Sequence, residues 1–213
     1  MFTMSSSAVR ENSGSENTIR PSRSWRIVDI VVTAVIGVAA GVVFFGWNLV
    51  YSPLTAPLEA ALPGLQALVY GVWLFAGVLA GLIVRKPGAA VLAEVIAASV
   101  SAMLGASWGF WTIEAGIVQG LGAELILAIF LYRRFGPVVA LLAGAAAGAA
   151  MGINDLIVWY AGAGAAFATI YFVCAVISGA VIAGLGSWAL ARALAKTGVL
   201  ARFASGRDTA VRV

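Results

Sequence analysis

Long apolar runs separated by short polar breaks fill the chain from residue 25 onward. The runs are Ile27–Val50, Leu65–Val84, Ala89–Gly105, Trp111–Tyr132, Val138–Tyr160 and Ala166–Ala193. Each approaches the ~20 residues that cross ~30 Å of hydrocarbon at ~1.5 Å per residue. None shows the ten-residue alternation of a membrane strand. The pattern predicts an all-α polytopic membrane protein, a six-helix transmembrane bundle over residues 25–200. Met1–Ser24 is rich in Ser, Asn, Glu and Arg and has no apolar run. It cannot bury enough surface to offset its ordering entropy, so a disordered tail is expected there. Residues 201–213 read as a short C-terminal tail. The N-terminus lacks the apolar core of a secretory signal.

Composition supports this reading. The 213 residues are 62% hydrophobic and 10% charged, with a mean hydropathy of +1.01. A soluble domain of this length carries far more charge. The single cysteine, Cys174, lies inside an apolar run, and histidine is absent. These two facts remove a disulfide framework, a zinc spacing and the commonest general base.

The net charge of +4 belongs to the loops. Arg10, Arg20, Arg23 and Arg26 precede the first run. Arg85 and Lys86 join the second to the third, and Arg133 and Arg134 the fourth to the fifth. Arg192, Lys196, Arg202, Arg207 and Arg212 lie at or beyond the end of the sixth. The alternate loops, Tyr51–Gly64, Ala106–Phe110 and Ala161–Ala165, contain no Lys or Arg. The positive-inside rule therefore predicts six spans in the cell membrane with both termini cytoplasmic. Topology alone accounts for these cations; docking of a cytoplasmic partner is the functional alternative.

Small residues repeat one turn apart: Gly37 and Gly41, then Gly144, Gly148 and Gly152, then Gly179 and Ala183. Such spacing lets helices approach closely. It serves internal packing or, alternatively, a flat face of span one or span six on which another membrane protein docks.

The acids within the spans carry the chemical information. Glu94, Glu114, Glu124 and Asp155 lie in or at the ends of runs that contain no basic partner. Such groups cost several kcal/mol unless protonated, hydrogen-bonded or facing a wet cavity. Interhelical hydrogen bonding and a ligand site are the two readings for each. Glu94 and Glu124 fall ~12–14 Å from the basic edge at ~1.5 Å per residue, and would meet if spans three and four are neighbours. Gln119 lies near mid-membrane, with Glu114, Asn154 and Asp155 nearer the outer face. Asp29, beside Arg26, reads as a helix-start charge.

Aromatic residues are concentrated at the outer level: Trp47, Tyr51, Tyr70, Trp73, Trp108, Trp111, Trp159, Tyr160 and Tyr171. An interfacial belt would populate both faces more evenly. Asp155 and Trp159, four apart, share a helix face, as do Trp111 and Glu114, three apart. Acid beside aromatic suits a flat, cationic, nitrogen-rich ligand. No phosphate-binding loop occurs, and no hydrolase or metalloprotease motif. Neither ATP hydrolysis nor other catalysis is expected of this chain, and no cofactor.

Several stretches carry a family resemblance. VDIVVTAVIGVAAGVVFFGW (Val28–Trp47), VRKPGAAVLAE (Val84–Glu94), QGLGAE (Gln119–Glu124) and, more faintly, KTGVL (Lys196–Leu200) resemble the substrate-binding S component of energy-coupling-factor (ECF) transporters. The resemblance is to the YkoE type, assigned to hydroxymethylpyrimidine and thiamine, and covers about residues 25–200. It implies an outward pocket, a transmembrane coupling (T) subunit and two cytoplasmic ATPases. Trp47, Tyr51, Glu94, Gln119 and Glu124 are the site residues it carries over. Trp111, Glu114, Asn154, Asp155 and Trp159 join them from depth and chemistry. Anionic vitamins fit poorly, because the outer half lacks Lys and Arg. A stand-alone proton-coupled transporter working through Glu94 and Glu124, and a non-transport membrane scaffold or enzyme subunit, are the alternatives.

Overall fold

A computed structural model describes residues 24–201, 203, 205 and 206. The tail expected over residues 1–24 lies outside these except for Ser24. No strand occurs among the described residues. Span one is helix α1 (Ile27–Ala61). Span two is a 3₁₀ helix (Leu65–Leu74) that continues as α2 (Phe75–Val84). Helices α3 (Ala89–Met103), α4 (Trp111–Ile129) and α5 (Pro137–Val158) follow. Span six is α6 (Ala165–Ser178), a π-helical turn (Gly179–Leu185) and α7 (Gly186–Lys196). Five of these rods are long and apolar enough to cross a membrane, and α3 is a shorter apolar helix.

Three boundaries differ from the hydrophobic runs. Helix α1 continues eleven residues past Val50, through Pro53 and Pro57. Its 35 residues reach ~52 Å at ~1.5 Å per residue, well beyond the bilayer core. The loop expected over Tyr51–Gly64 is thus mostly helix. Helix α3 has 15 residues and covers only ~22 Å, leaving its far end short of the surface. The chain just beyond the expected 25–200 domain also packs back: Leu200 and Phe203 are buried against Leu79, Ile83 and Val84.

Span two is the hub. Gly77–Val84 is buried throughout, and the span contacts every other span. Around it α1 packs on α3, α3 on α4, α4 on α5, and α5 on span six. Lipid-facing side chains cover the outside, among them Val31, Val35, Val38 and Val42 of α1. The basic loops converge at one end. Trp25 Nε1 donates to the Pro87 carbonyl at 3.1 Å. The Arg85 guanidinium lies 4.5 Å from the Phe135 ring centroid, and that of Arg26 lies 6.0 Å from the Phe203 centroid. Arg26 also pairs with Asp29 at 2.8 Å, completing a capping box at the start of α1.

The small-residue faces are internal. A Cβ on Gly37 or Gly41 would meet Ile96, Ala97 or Val100 of α3, and one on Gly148 would meet the Ala175 carbonyl. A Cβ on Gly144 would strike the Gly179 carbonyl, and one on Gly184 the Ala140 carbonyl. Helix α5 and the π turn of span six thus cross backbone to backbone. Of the two readings of these stripes, the structure corrects the docking face: bare glycine here is what lets the helices touch. Gly148→Val should lower stability by about 1–3 kcal/mol through overpacking. Gly46→Ala, with no atom within 4 Å of the added carbon, should leave stability unchanged or raise it. Thermal unfolding of the two variants in detergent checks this contrast.

Candidate functional site

Two polar devices hold the break in span two. A helix that restarts inside a bilayer exposes backbone N–H groups to a region without water. The Glu94 carboxylate, 1% exposed, accepts from the Gly77 N–H at 2.6 Å, in the first turn of α2. Its other oxygen, Oε1, has no hydrogen-bond partner among the described residues. Ser178 acts on the 3₁₀ side: its hydroxyl accepts from the Gly71 N–H at 2.8 Å and donates to the Leu68 carbonyl at 2.7 Å. It bridges an i, i+3 pair of that helix and pins it to span six just before the π turn.

Glu124 does for α3 what Glu94 does for α2. It accepts from the N–H groups of Gly88 and Ala90 at 2.7 and 2.9 Å, and from the Tyr132 hydroxyl at 2.6 Å. Leu131 and Tyr132 turn back through left-handed conformations, φ 54° and 53°, as α4 ends. Spans three and four are neighbours, yet each acid serves a different helix start.

A cavity of about 170 Å³ occupies the half of the bundle away from the basic loops. Phe44, Asn48 and Tyr51 of α1, Tyr70 and Trp73 of the 3₁₀ helix, and Ala98 and Ser101 of α3 line one part of it. Trp111, Thr112, Ala115 and Gln119 of α4, with Met151 and Asp155 of α5 and Tyr171 of α6, line the other. Loop residues Trp108, Trp159 and Tyr160 complete it. The short α3 leaves room at this end, into which the following turn brings Trp108. In a 3₁₀ helix residues i and i+3 eclipse, so Tyr70 and Trp73 stand on one face.

Rings form most of the wall. Tyr51 lies 5.2 Å from Trp73 and 5.4 Å from Trp108, centroid to centroid, and Tyr70 lies 5.1 Å from Trp73. Tyr70 meets Tyr171 at 6.1 Å, linking this cluster to Tyr160. Trp111 and Trp159, each 47% exposed, meet edge-on at 6.1 Å at the rim. Asp155 accepts from the Tyr171 hydroxyl at 2.6 Å. Asn48 accepts from Trp73 Nε1 at 2.8 Å and donates to Ser101 Oγ at 3.1 Å. Thr112 Oγ1 is buried without a partner among the described residues. Burial pushes the Tyr160 phenol in the loop above its ordinary range, so it stays a neutral hydrogen-bonding group. Among the described residues no Lys or Arg lines the cavity.

Of the site residues expected from sequence, the cavity brings together Tyr51, Trp111, Gln119, Asp155 and Trp159. Trp47, Glu94, Glu114, Glu124 and Asn154 are not among its lining residues. Asn154 donates to Glu114 at 3.2 Å, a contact between α5 and α4. Trp47 Nε1 is buried without a partner among the described residues. Asn48, Ser101 and Thr112 also line it, although the sequence does not single them out. Their signal is weak, since small polar residues in spans usually bond helices together. Tyr70, Trp73, Trp108, Tyr160 and Tyr171, which the sequence shows only as crowded aromatics, belong to the wall as well.

The class of protein that this bundle and its cavity define is a membrane-embedded solute-binding subunit, and three comparisons agree. A family model described as "ABC-type cobalt transport system, permease component" matches residues 28–150. YkoE of Bacillus subtilis (strain 168), whose name describes an HMP/thiamine permease, is 37% identical over 190 residues, 87% of this chain and 92% of that protein. A solved structure titled "Crystal structure of an S-component of ECF transporter" superposes with a TM-score of 0.81 at 35% identity, covering 89% of this chain and 95% of that one. The chain belongs to the S components of ECF transporters, of the YkoE type. It is a multi-pass cell-membrane transport subunit, not an enzyme, and works with T and ATPase subunits.

Glu94→Ala strands the Gly77 N–H and should cost about 1–3 kcal/mol of stability. Glu94→Gln keeps an acceptor there and should lose less than half as much. Thermal unfolding of both variants, read beside binding affinity, checks that the effect is on the fold and leaves affinity within about threefold.

Proposed function

We propose that this S component captures thiamine, or its hydroxymethylpyrimidine precursor, and delivers it inward. One observation carries the reading: a ring-walled cavity holds the Asp155 carboxylate and no basic residue. Thiamine carries a permanent positive charge and a flat aminopyrimidine. Aromatic faces attract cations, most strongly when both are desolvated, and a carboxylate in the same wall adds Coulombic attraction. The precursor lacks the charge and relies on stacking and hydrogen bonds. The name of the Bacillus subtilis relative describes a permease for this pair.

The matched family description names cobalt, a cargo that this cavity suits poorly. Divalent transition metals are held by clustered imidazole, thiolate or carboxylate ligands. Among the described residues no three His, Cys, Asp or Glu side chains converge.

In this reading the cavity opens outside and the basic loops face the cytoplasm, with both termini on that side. Two cytoplasmic ATPases and a T subunit drive release. Neither Glu94 nor Glu124 lines the cavity, so the reading assigns them no proton path.

The purified chain should bind thiamine saturably, and vesicles holding the whole complex should accumulate it only with ATP. Uptake by this chain alone in a proton gradient, or no ATP-dependent uptake of either compound, would refute the proposal. Trp111→Ala removes a rim ring worth about 0.5–1.5 kcal/mol, so thiamine affinity should fall roughly two- to tenfold by calorimetry.

A further inference from the structure

We infer that the cavity has two chemically distinct walls: Asn48 reads the aminopyrimidine edge, while Asp155 holds the positive charge. The assignment rests on the proposed thiamine-type ligand and divides the work within that site.

Asn48 is an oriented amide. Trp73 Nε1 is donor-only, so the Asn48 atom 2.8 Å from it is the oxygen, which fixes the flip of the side chain. Its nitrogen donates to Ser101 Oγ at 3.1 Å. An asparagine side chain offers two N–H donors and two oxygen lone pairs. The network uses one of each, leaving one donor and one acceptor on an amide that lines the cavity. An aminopyrimidine presents the complement, an amino hydrogen beside a ring nitrogen. Asparagine pairs with adenine in this bidentate way. The ring of Trp73 is a further part of the same wall and offers a stacking face.

Asp155 is a different kind of group. One oxygen takes the Tyr171 hydroxyl at 2.6 Å, and no cation is paired with it among the described residues. It is the one carboxylate in the lining. An ionised carboxylate is acceptor-only, so it can complement a cation but cannot complete a donor–acceptor pair with a ring nitrogen.

The fold separates the two. Asn48 is on α1, which packs on α3 and span two. Asp155 is on α5, which packs on α4 and span six. Tyr70 joins the two sides: its ring lies 5.1 Å from Trp73, the partner of Asn48, and 6.1 Å from Tyr171, the partner of Asp155. A ligand with a neutral hydrogen-bonding ring at one end and a cationic ring at the other matches that order.

Thiamine and oxythiamine test the assignment. Both carry the cation, and oxythiamine replaces the amino group with a carbonyl. The unmodified protein should prefer thiamine at least tenfold. Asp155→Asn should weaken both at least tenfold and keep their affinity ratio within about threefold. Asn48→Ala should weaken thiamine at least tenfold and collapse the ratio toward one. Tyr171→Phe, which retains the charge, should preserve the ratio and gives a second test if Asp155→Asn does not fold. A ratio lost in Asp155→Asn or Tyr171→Phe, or kept in Asn48→Ala, overturns the assignment and leaves the thiamine reading standing. Failure of the unmodified protein to bind either compound overturns the thiamine reading itself.

Discussion

A bilayer interior has no water to satisfy a backbone N–H, so any interruption of a transmembrane helix needs a partner supplied by another span. Span two is interrupted at its middle, where the 3₁₀ helix passes into α2. Ten residues of 3₁₀ helix are long for that geometry, whose hydrogen bonds are poorer than those of an α-helix. Two side chains from other spans support the junction. Glu94 takes the N–H of Gly77, and Ser178 bridges Leu68 and Gly71. The 3₁₀ segment so anchored carries Tyr70 and Trp73 into the wall of the cavity.

The same constraint sorts the acids. Glu94 and Glu124 lie beside helix starts, where orphan N–H groups and the positive end of the helix dipole favour a carboxylate. Their partners are backbone groups and one tyrosine, fixed parts of the fold. Asp155 is three residues from the end of α5, where the dipole has the opposite sign. Among the described residues no backbone N–H donates to its side chain. It is bonded to a tyrosine and borders the empty space. Proximity to a helix start, rather than depth in the membrane, separates structural acids from the one facing the cavity.

That distinction limits what the sequence can reveal. Hydropathy and run length give six spans, and the segregated arginines and lysines place their loops at a common end. Aromatic crowding locates the half away from the basic loops as the chemical half. Glu94 and Glu124 are conspicuous in sequence because lone acids in apolar runs are costly, but the cost is equally met by a backbone amide on a neighbouring span. That amide leaves no mark in the sequence, since every residue except proline has one. Asn48 escapes notice for the converse reason: one small amide after Trp47 looks like interhelical glue until Trp73 and Ser101 are seen to orient it. The 3₁₀ segment and the π turn are equally hidden. Leu65–Leu74 and Gly179–Leu185 have the composition of ordinary transmembrane helix, and their pitch is set by tertiary contacts at Ser178, Gly144 and Gly184.

One carboxylate is enough to give such a cavity its sign. Opposite charges ~4 Å apart attract by about 1 kcal/mol in water and about 4 kcal/mol at an effective dielectric of 20. The rings that share the cavity wall with Asp155 displace part of its water and move the site toward the second case. Glu114 of α4 stands nearby and is held by the Asn154 amide of α5. An anion entering here would meet the like charge of Asp155, with no lysine or arginine among the described lining residues to offset it. A neutral ring would meet only faces and amides. Selection of cation over anion in such a cavity needs no further charged group, and the remaining wall acts through shape, stacking and hydrogen bonds.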